Sequence, residues 1–405
     1  MLSAIDAFFV AYQESSGVLM QVGVEVELKG RITRDDIERM LWHVVKRWPP
    51  LGQRLRRDWL GLSWEGKPRV SEMLRVAENR DEWRNRPLNP FRETPFQVLW
   101  IEEDQKNHLA FRAHHAVVDG EGFFEVCAEA LRALAGKKTA TDKTDLKNGS
   151  IRVVGVRDAL QRVQQLREEA RSDKSARIAV RSNAPGPIGI VERDLDRRHL
   201  DGWLCASAWM KAIHRWNLLG DQTSTSLISL EVPVSLRRNR DSLTIGNQIS
   251  PLVLYGDAKQ PLEDLAQQLR QQMSRALRQQ THLALPSLAA PAKFLPWEVF
   301  RLIAASPELT GFATSHFAWL EHAQTIHDDV SRASNGALQL VDQQLYTPVC
   351  LHMGAAVAVL AWPERAQLFL THRLNALSTS DANVLLDLMV QELGAQHLNR
   401  QQVAV

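Results

Sequence analysis

Apolar and polar residues alternate through Val22, Val24, Val26 and Leu28, with Gly23, Glu25 and Glu27 between them. That period of two predicts a half-buried strand. The period then changes. Ile37, Met40, Leu41, Val44, Val45 and Trp48 fall at helical spacing on one face. Thr33 can cap this helix, Asp35, Asp36 and Glu38 suit the positive end of its dipole, and Pro49 and Pro50 stop it. Trp59 to Trp64 predicts part of a hairpin. Phe96 to Glu102 and His108 to Ala113 predict strands joined by a hydrophilic turn, Glu103-Asp104-Gln105-Lys106, which makes them hairpin partners. Phe123, Cys127, Ala130, Leu131 and Leu134 share a helix face that Gly136 can end.

The second half mixes the two periods again, without an internal sequence repeat. A strand near Ile188 to Arg193 precedes a helix expected over Leu195 to Trp216. Ser226 to Arg237 alternates as a strand broken by Pro233, and Gly246-Asn247 leads into another apolar run. Leu262, Leu265, Leu269, Met273 and Leu277 place a strong helix over Pro261 to Gln280. Leu283 to Ile303 is apolar and broken by prolines, which fits helices interrupted by loops. Phe312 to Leu320, Leu345 to Trp362 and Gln367 to Arg373 predict late strands, and Asp381 to Leu393 a closing helix. Two stretches break the pattern: Lys137 to Ser150, polar and aperiodic, and Asn183-Ala184-Pro185-Gly186-Pro187. A charged helical stretch, Val156 to Ser172, lies between them. A boundary near residue 175 is therefore expected, giving mixed α/β domains over residues 1–175 and 176–405.

Composition narrows the class. At roughly 150 residues per domain, a chain of 405 residues holds two or three. A formal net charge of +2 gives no strong electrostatic case for nucleic acid. Cys127, Cys205 and Cys350 are odd in number and far apart, which is neither a disulfide framework nor a zinc pattern. A reducing, cytoplasmic setting is the simplest reading. Asp6 interrupts the apolar stretch Ala4 to Tyr12 and no basic run precedes it, so a secretory signal is not expected. The longest apolar stretch, Val349 to Trp362, contains His352 and falls short of the roughly 20 residues a bilayer needs, so no transmembrane segment is expected.

Candidate chemistry concentrates in His114-His115-Ala116-Val117-Val118-Asp119-Gly120, at the end of a predicted strand and before a predicted helix. A strand fixes an imidazole, a glycine lets the backbone turn, and histidine takes a proton near neutral pH. Neighbouring residues on an extended chain point opposite ways, so both imidazoles cannot easily face one substrate. For the same reason His114, His115 and Asp119 make a poor metal site, and none is expected. A Gly-rich phosphate loop and a Gly-x-Ser-x-Gly elbow are both missing from the sequence.

All seven positions fit the HHxxxDG motif, and the chain resembles the CoA-dependent acyltransferase superfamily. That group includes condensation domains of nonribosomal peptide synthetases, wax ester synthase/diacylglycerol acyltransferases and chloramphenicol acetyltransferase. A second matching segment is Pro233-Val234-Ser235-Leu236-Arg237 with Gly246-Asn247. Arg47 to Leu55 and the opening Leu2 to Phe9, with a serine, an aspartate and an aromatic pair, are also similar. The likeness covers most of the chain and is firm at two segments. It reads as wax-synthase-like or as a stand-alone condensation-like protein.

The resemblance implies two chloramphenicol-acetyltransferase-like domains in a V-shaped pseudo-dimer, with a channel at their interface. It implies acyl transfer from a CoA or carrier-protein phosphopantetheine thioester to a hydroxyl or amine, with His115 as general base and no bound cofactor. His114 takes a structural role. Asp119 is expected to pair with Arg237 of the second domain, with Arg238 as the fallback. Gly120 would flank the pantetheine arm, and Asn247 would meet substrate or brace the loop. Ser315, in Thr314-Ser315-His316-Phe317-Ala318-Trp319, could lend a hydroxyl where the wax-synthase pattern has a different segment. A monomer is expected, with an acyl or peptidyl carrier protein as a possible partner. A non-catalytic scaffold that binds acyl thioesters or carrier proteins is the competing reading.

Overall fold

The computed structural model of the protein describes residues 2–58, 61–76, 79–103, 106–136, 155, 157–162, 164, 175–196, 200–220, 225–237, 245–292, 295–306, 315–321 and 323–394. The expected linker Lys137 to Ser150, most of the charged stretch Val156 to Ser172, Arg238 and residues 312–314 lie outside these.

Two sheets organise the chain. The first has the order β11 (Gln339–Tyr346), β1 (Gln21–Lys29), β6 (Lys106–His114), β5 (Phe96–Glu103) and β4 (Leu74–Val76). The second has the order β7 (Ile188–Asp196), β13 (Arg365–Arg373), β12 (Ala355–Ala361), β10 (Ser315–Leu320), β8 (Leu227–Ser235) and β9 (Ile249–Asp257). A separate hairpin joins β2 (Arg54–Asp58) to β3 (Gly61–Glu65). The expected hairpin of the motif strand is present: β5 and β6 pair antiparallel from Phe96–Ala113 to Glu103–Lys106.

Helices cover each sheet with the apolar faces their periodicity gives. Near the first sheet, α1 (Ala4–Ser16) opens on a capping box between Ser3 and Asp6, and α2 (Arg34–Arg47) on one between Thr33 and Asp36. Ile37 and Val44 of α2 pack with Phe111 of β6 and Phe123 of α3 (Gly120–Leu134). On the second sheet, Trp209 of α4 (Gly202–Leu219), Leu265 of α5 (Leu262–Arg278) and Leu386 of α6 (Thr379–Leu393) share one core with Leu230 and Val357. The apolar, proline-broken stretch forms two helices, Ala284–Ala292 and Trp297–Ala304. Among the described residues no helix is long and apolar enough to cross a membrane.

Three expectations change. β1 is not half-buried. It is an interior strand, and Glu25 on its second face is covered by Arg84 at 2.7 Å, Arg80 at 3.2 Å and His108 at 3.4 Å. The helix expected from Leu195 begins at Gly202, because β7 pairs with β13 as far as Asp196 and Asp201 caps the helix. The single late strand over Leu345 to Trp362 is two strands in different sheets. Between them the chain turns at Cys350–Met353, where the Met353 N–H donates to the Cys350 carbonyl. β11 therefore joins the first sheet beside β1, although it lies far beyond residue 175 in sequence.

Candidate active site

β6 ends at His114, and the next residues leave the sheet in a tight turn in which the Val117 N–H donates to the His114 carbonyl at 3.0 Å. The two imidazoles then part. His114 is fully buried, and its Nδ1 accepts the Ala116 N–H at 3.0 Å. Burial holds its pKa down to about 3, so the ring is a neutral brace for its own turn.

His115 is anchored by its backbone, whose N–H donates to the Met20 carbonyl at 2.8 Å. Its Nδ1 lies 2.8 Å from Asn247 Oδ1. The amide orientation follows from the other end of Asn247. There Nδ2 donates to Asp6 Oδ1 at 2.7 Å and to the His115 carbonyl at 2.6 Å, and only an NH₂ group can satisfy two acceptors. Asn247 Oδ1 must then accept, which puts the ring proton on Nδ1 and a lone pair on Nε2. Among the described residues that Nε2 atom has no hydrogen-bond partner, and it is not sealed from solvent. Phe9 stacks on the ring at 4.0 Å between centroids. Burial holds the pKa of His115 below the ordinary histidine value, so at neutral pH the imidazole is free to take a proton.

Asp6 ties this arrangement to the start of α1. It receives the Asn247 N–H at 2.9 Å and the Ser3 hydroxyl at 2.7 Å, while burial pushes its carboxyl above the usual range. The chain thus brings residues 3–9, 114–119 and 246–248 into one place.

The turn after His115 is locked from the second half. Asp119 caps α3, with Oδ1 accepting the Gly122 N–H at 2.8 Å. The same oxygen accepts Arg237 Nη2 at 2.8 Å, and Oδ2 accepts the Gln248 N–H at 2.8 Å. Arg237 also reaches Glu121 at 3.2 Å. A Cβ on Gly122 would lie 2.9 Å from Arg237 Nη2, so glycine there gives the guanidinium its room. Gly246, at φ +105°, bridges Val118 and donates its N–H to the Val117 carbonyl at 3.0 Å. Gly120 is the first residue of α3, with open space where a Cβ would be.

Ser315 is placed differently from the expectation. It is fully buried, accepts the Trp209 indole N–H at 2.9 Å and donates to the Ala355 carbonyl at 2.8 Å, so its hydroxyl belongs to the core of the second sheet. The next residue on β10, His316, turns to the other face. It sits opposite Glu231 of β8 in the parallel register, with Nδ1 3.4 Å from Glu231 Oε1. Asp6, Phe9, Glu231 and His316 were not among the expected site residues. The Ser3–Asp6 capping signal and the aromatic pair marked α1 as an opening segment, but nothing local connects it to residue 247.

No family model and no curated protein sequence matches the chain. Its structure, in contrast, aligns along nearly its whole length with solved proteins. One is the starter condensation domain of rhizomide synthetase RzmA, a mutant in complex with C8-CoA and Leu-SNAC. It is 14% identical, with 98% of this chain and 97% of that chain covered, at a TM-score of 0.68. A second is the TRI3 trichothecene 15-O-acetyltransferase from Fusarium sporotrichioides, 12% identical over 97% of this chain and 94% of that one, at a TM-score of 0.72. A third is the condensation domain of the monacolin K polyketide synthase MokA, 12% identical over 97% and 96%, at a TM-score of 0.65. The fold is accordingly the mixed α/β, two-domain fold of condensation domains and chloramphenicol-acetyltransferase-like acyltransferases.

Proposed function

We propose that the protein is an acyltransferase that moves an acyl group from a pantetheine thioester to a hydroxyl or amine. The observation that carries this reading is His115 Nε2. The Asn247 contacts leave the lone pair on this atom, it has no partner among the described residues, and the ring is held in place by Asn247 through the far nitrogen. The acceptor O–H or N–H would give its proton to Nε2 as the heteroatom attacks the thioester carbonyl. Collapse of the tetrahedral intermediate breaks the C–S bond, and the thiolate takes the proton back from His115. Atoms and protons balance without a redox group or a metal.

Asp119 and Arg237 would hold the loop that presents His115, and the open side of Gly120 would admit the slender pantetheine arm. CoA and a carrier protein present the same arm, so both are candidate donors. The complex of the rhizomide synthetase domain with C8-CoA and an aminoacyl thioester supports keeping both free and carrier-type thioesters in the assay. A wax-synthase-like or condensation-like role is part of this proposal, as is a cytoplasmic monomer with domains at 1–175 and 176–405, from the second of which β11 crosses into the first sheet.

The test is a mass-spectrometric acyl-transfer assay with acyl-CoA and carrier-loaded donors against alcohol and amine acceptors. His115→Ala should lower turnover by about 10²–10⁴-fold in a protein that still melts cooperatively. Full turnover by that variant removes the base assignment. Tight thioester binding with no product from any acceptor would favour the scaffold reading instead.

A further inference from the structure

The second sheet carries on β8 a polar group that the proposed chemistry does not use. Glu231 is half-buried, with 29% of its side chain accessible. β8 alternates, with Ile228 and Leu230 entering the helix-covered core, so Glu231 points from the other face. On that face its register neighbours are His316 on one side and Val253 on the other.

The face continues towards His115. Val253 and Cys350 pack with Val349 and Met353, and Cys350 also packs in the cluster that holds Tyr12 and Phe9. Phe9 is the residue stacked on His115. Packed residues thus connect the neighbourhood of Glu231 to that of the candidate base, and the two lie close enough for their charges to interact.

The charge balance there is one-sided. Among the described residues Glu231 pairs with no lysine or arginine; its partner is the His316 imidazole at 3.4 Å. Burial pushes its carboxyl up, but the His316 contact and the nearby His352 and His115 imidazoles together hold it below the usual range, so it is anionic. The surrounding groups do not neutralise it. Burial holds the His352 pKa down to about 4, and that ring's Nε2 is buried without a partner. Burial also keeps the Cys350 thiol protonated, pushed up to about 12. A partly accessible carboxylate with no lysine or arginine beside it is open to a charge-assisted hydrogen bond from a ligand ammonium.

We propose that Glu231, held by His316, is the residue that selects the acceptor: it receives the ammonium group of a cationic amine-bearing acceptor whose other nucleophile lies at His115. This rests on the acyl-transfer reading and names its substrate class. The geometry also assigns the two side chains distinct tasks, proton removal at His115 and charge recognition at Glu231.

The experiment pairs 4-aminobutan-1-ol with 1-pentanol, two acceptors of similar length, using octanoyl-CoA as donor. The wild-type protein should favour the amino alcohol in kcat/KM. Glu231→Gln should reduce that preference by about tenfold or more, mainly through KM for the cationic acceptor. Glu231→Asp, which keeps the charge, should restore part of it. An unchanged preference in Glu231→Gln overturns the proposal. A second arm does not depend on turnover: binding of 4-aminobutan-1-ol by saturation-transfer NMR to the wild type, Glu231→Gln and His115→Ala. Weakened binding in Glu231→Gln alone supports the cation site even if no acceptor is acylated, in which case only the acyltransferase reading fails. Equal binding by all three proteins, or none by the wild type, overturns the cation site.

Discussion

Asn247 Oδ1 lies 2.8 Å from His115 Nδ1, although 132 residues separate the two. The contact decides which ring nitrogen can act as a base, because a proton on Nδ1 leaves the lone pair on Nε2. If His115 is the base, Asn247→Ala should lower kcat/KM by about 10–100-fold, the loss seen when the partner that fixes a metal-bound histidine's tautomer is removed. Asn247→Asp should instead raise the apparent pKa of the acid limb, since a carboxylate beside Nδ1 favours the imidazolium. A pH–rate profile of each variant reads the difference, and identical profiles would remove Asn247 from the site.

The pH dependence of the wild type has a definite sign. Burial lowers the pKa of His115, so the base remains unprotonated below the ordinary histidine value near 6.5. Activity should hold through pH 6.5 and fall only at more acidic pH. An acid limb centred above pH 7 would contradict the buried, neutral imidazole.

Stability should follow pH through His114. Unfolded, this histidine takes a proton near pH 6.5; folded, it does so only at about 3. Between those values the unfolded chain binds the extra proton, so its contribution is complete above pH 6.5 and declines as pH falls, by about 1.4 kcal/mol per unit. Asn in place of His114 keeps a side-chain acceptor for the Ala116 N–H and does not titrate. Urea melts of His114→Asn should show a shallower loss between pH 6.5 and 4 than the wild type.

Asp119 and Arg237 are both almost completely shielded, 0% and 7% accessible. Arg237→Met leaves the Asp119 carboxylate buried without its cation and should cost about 3–5 kcal/mol, whereas Asp119→Asn leaves Arg237 its Glu121 partner and should cost less. The double variant should be less destabilised than the two costs added. A double-mutant cycle by chemical denaturation measures this, and simple additivity would show that the pair is not coupled.

Ser315 gives a contrasting case. Ser315→Ala leaves the Trp209 indole N–H without its acceptor and should cost about 1–3 kcal/mol of stability. Turnover per folded molecule should stay near the wild-type rate. A selective loss of kcat would return this hydroxyl to the site.

Much of this was legible in the sequence where the signal is local. The alternation of His108 to Ala113 marked the motif strand, and it is β6; the apolar spacing of Ile37 to Trp48 marked α2. The contact between Asp119 and Arg237 was expected from the resemblance, not from spacing, and the two side chains meet. What was not legible depends on long-range pairing. Asp6 reads as a helix-opening residue, and only the folded chain shows its carboxylate reaching Asn247. Ser315 and His316 differ by one position on a strand, and the period of two sent the serine to the core and the histidine to the opposite face. Pro348 and Gly354 flank the turn that divides the late apolar run, and they were the available warning that it was two strands.

The placement of β11 has a consequence for how the molecule is made. During synthesis β1 can zip to β6 as soon as the motif has left the ribosome, yet its other edge waits for residues 339–346. Until then a nascent chain carries a bare strand edge, a natural target for chaperones and for unwanted pairing. The loop bearing His115 also lacks its fasteners until residues 237–248 emerge, so the candidate site is assembled late in translation, and a cut near residue 175 should yield a first fragment that associates or aggregates on its own.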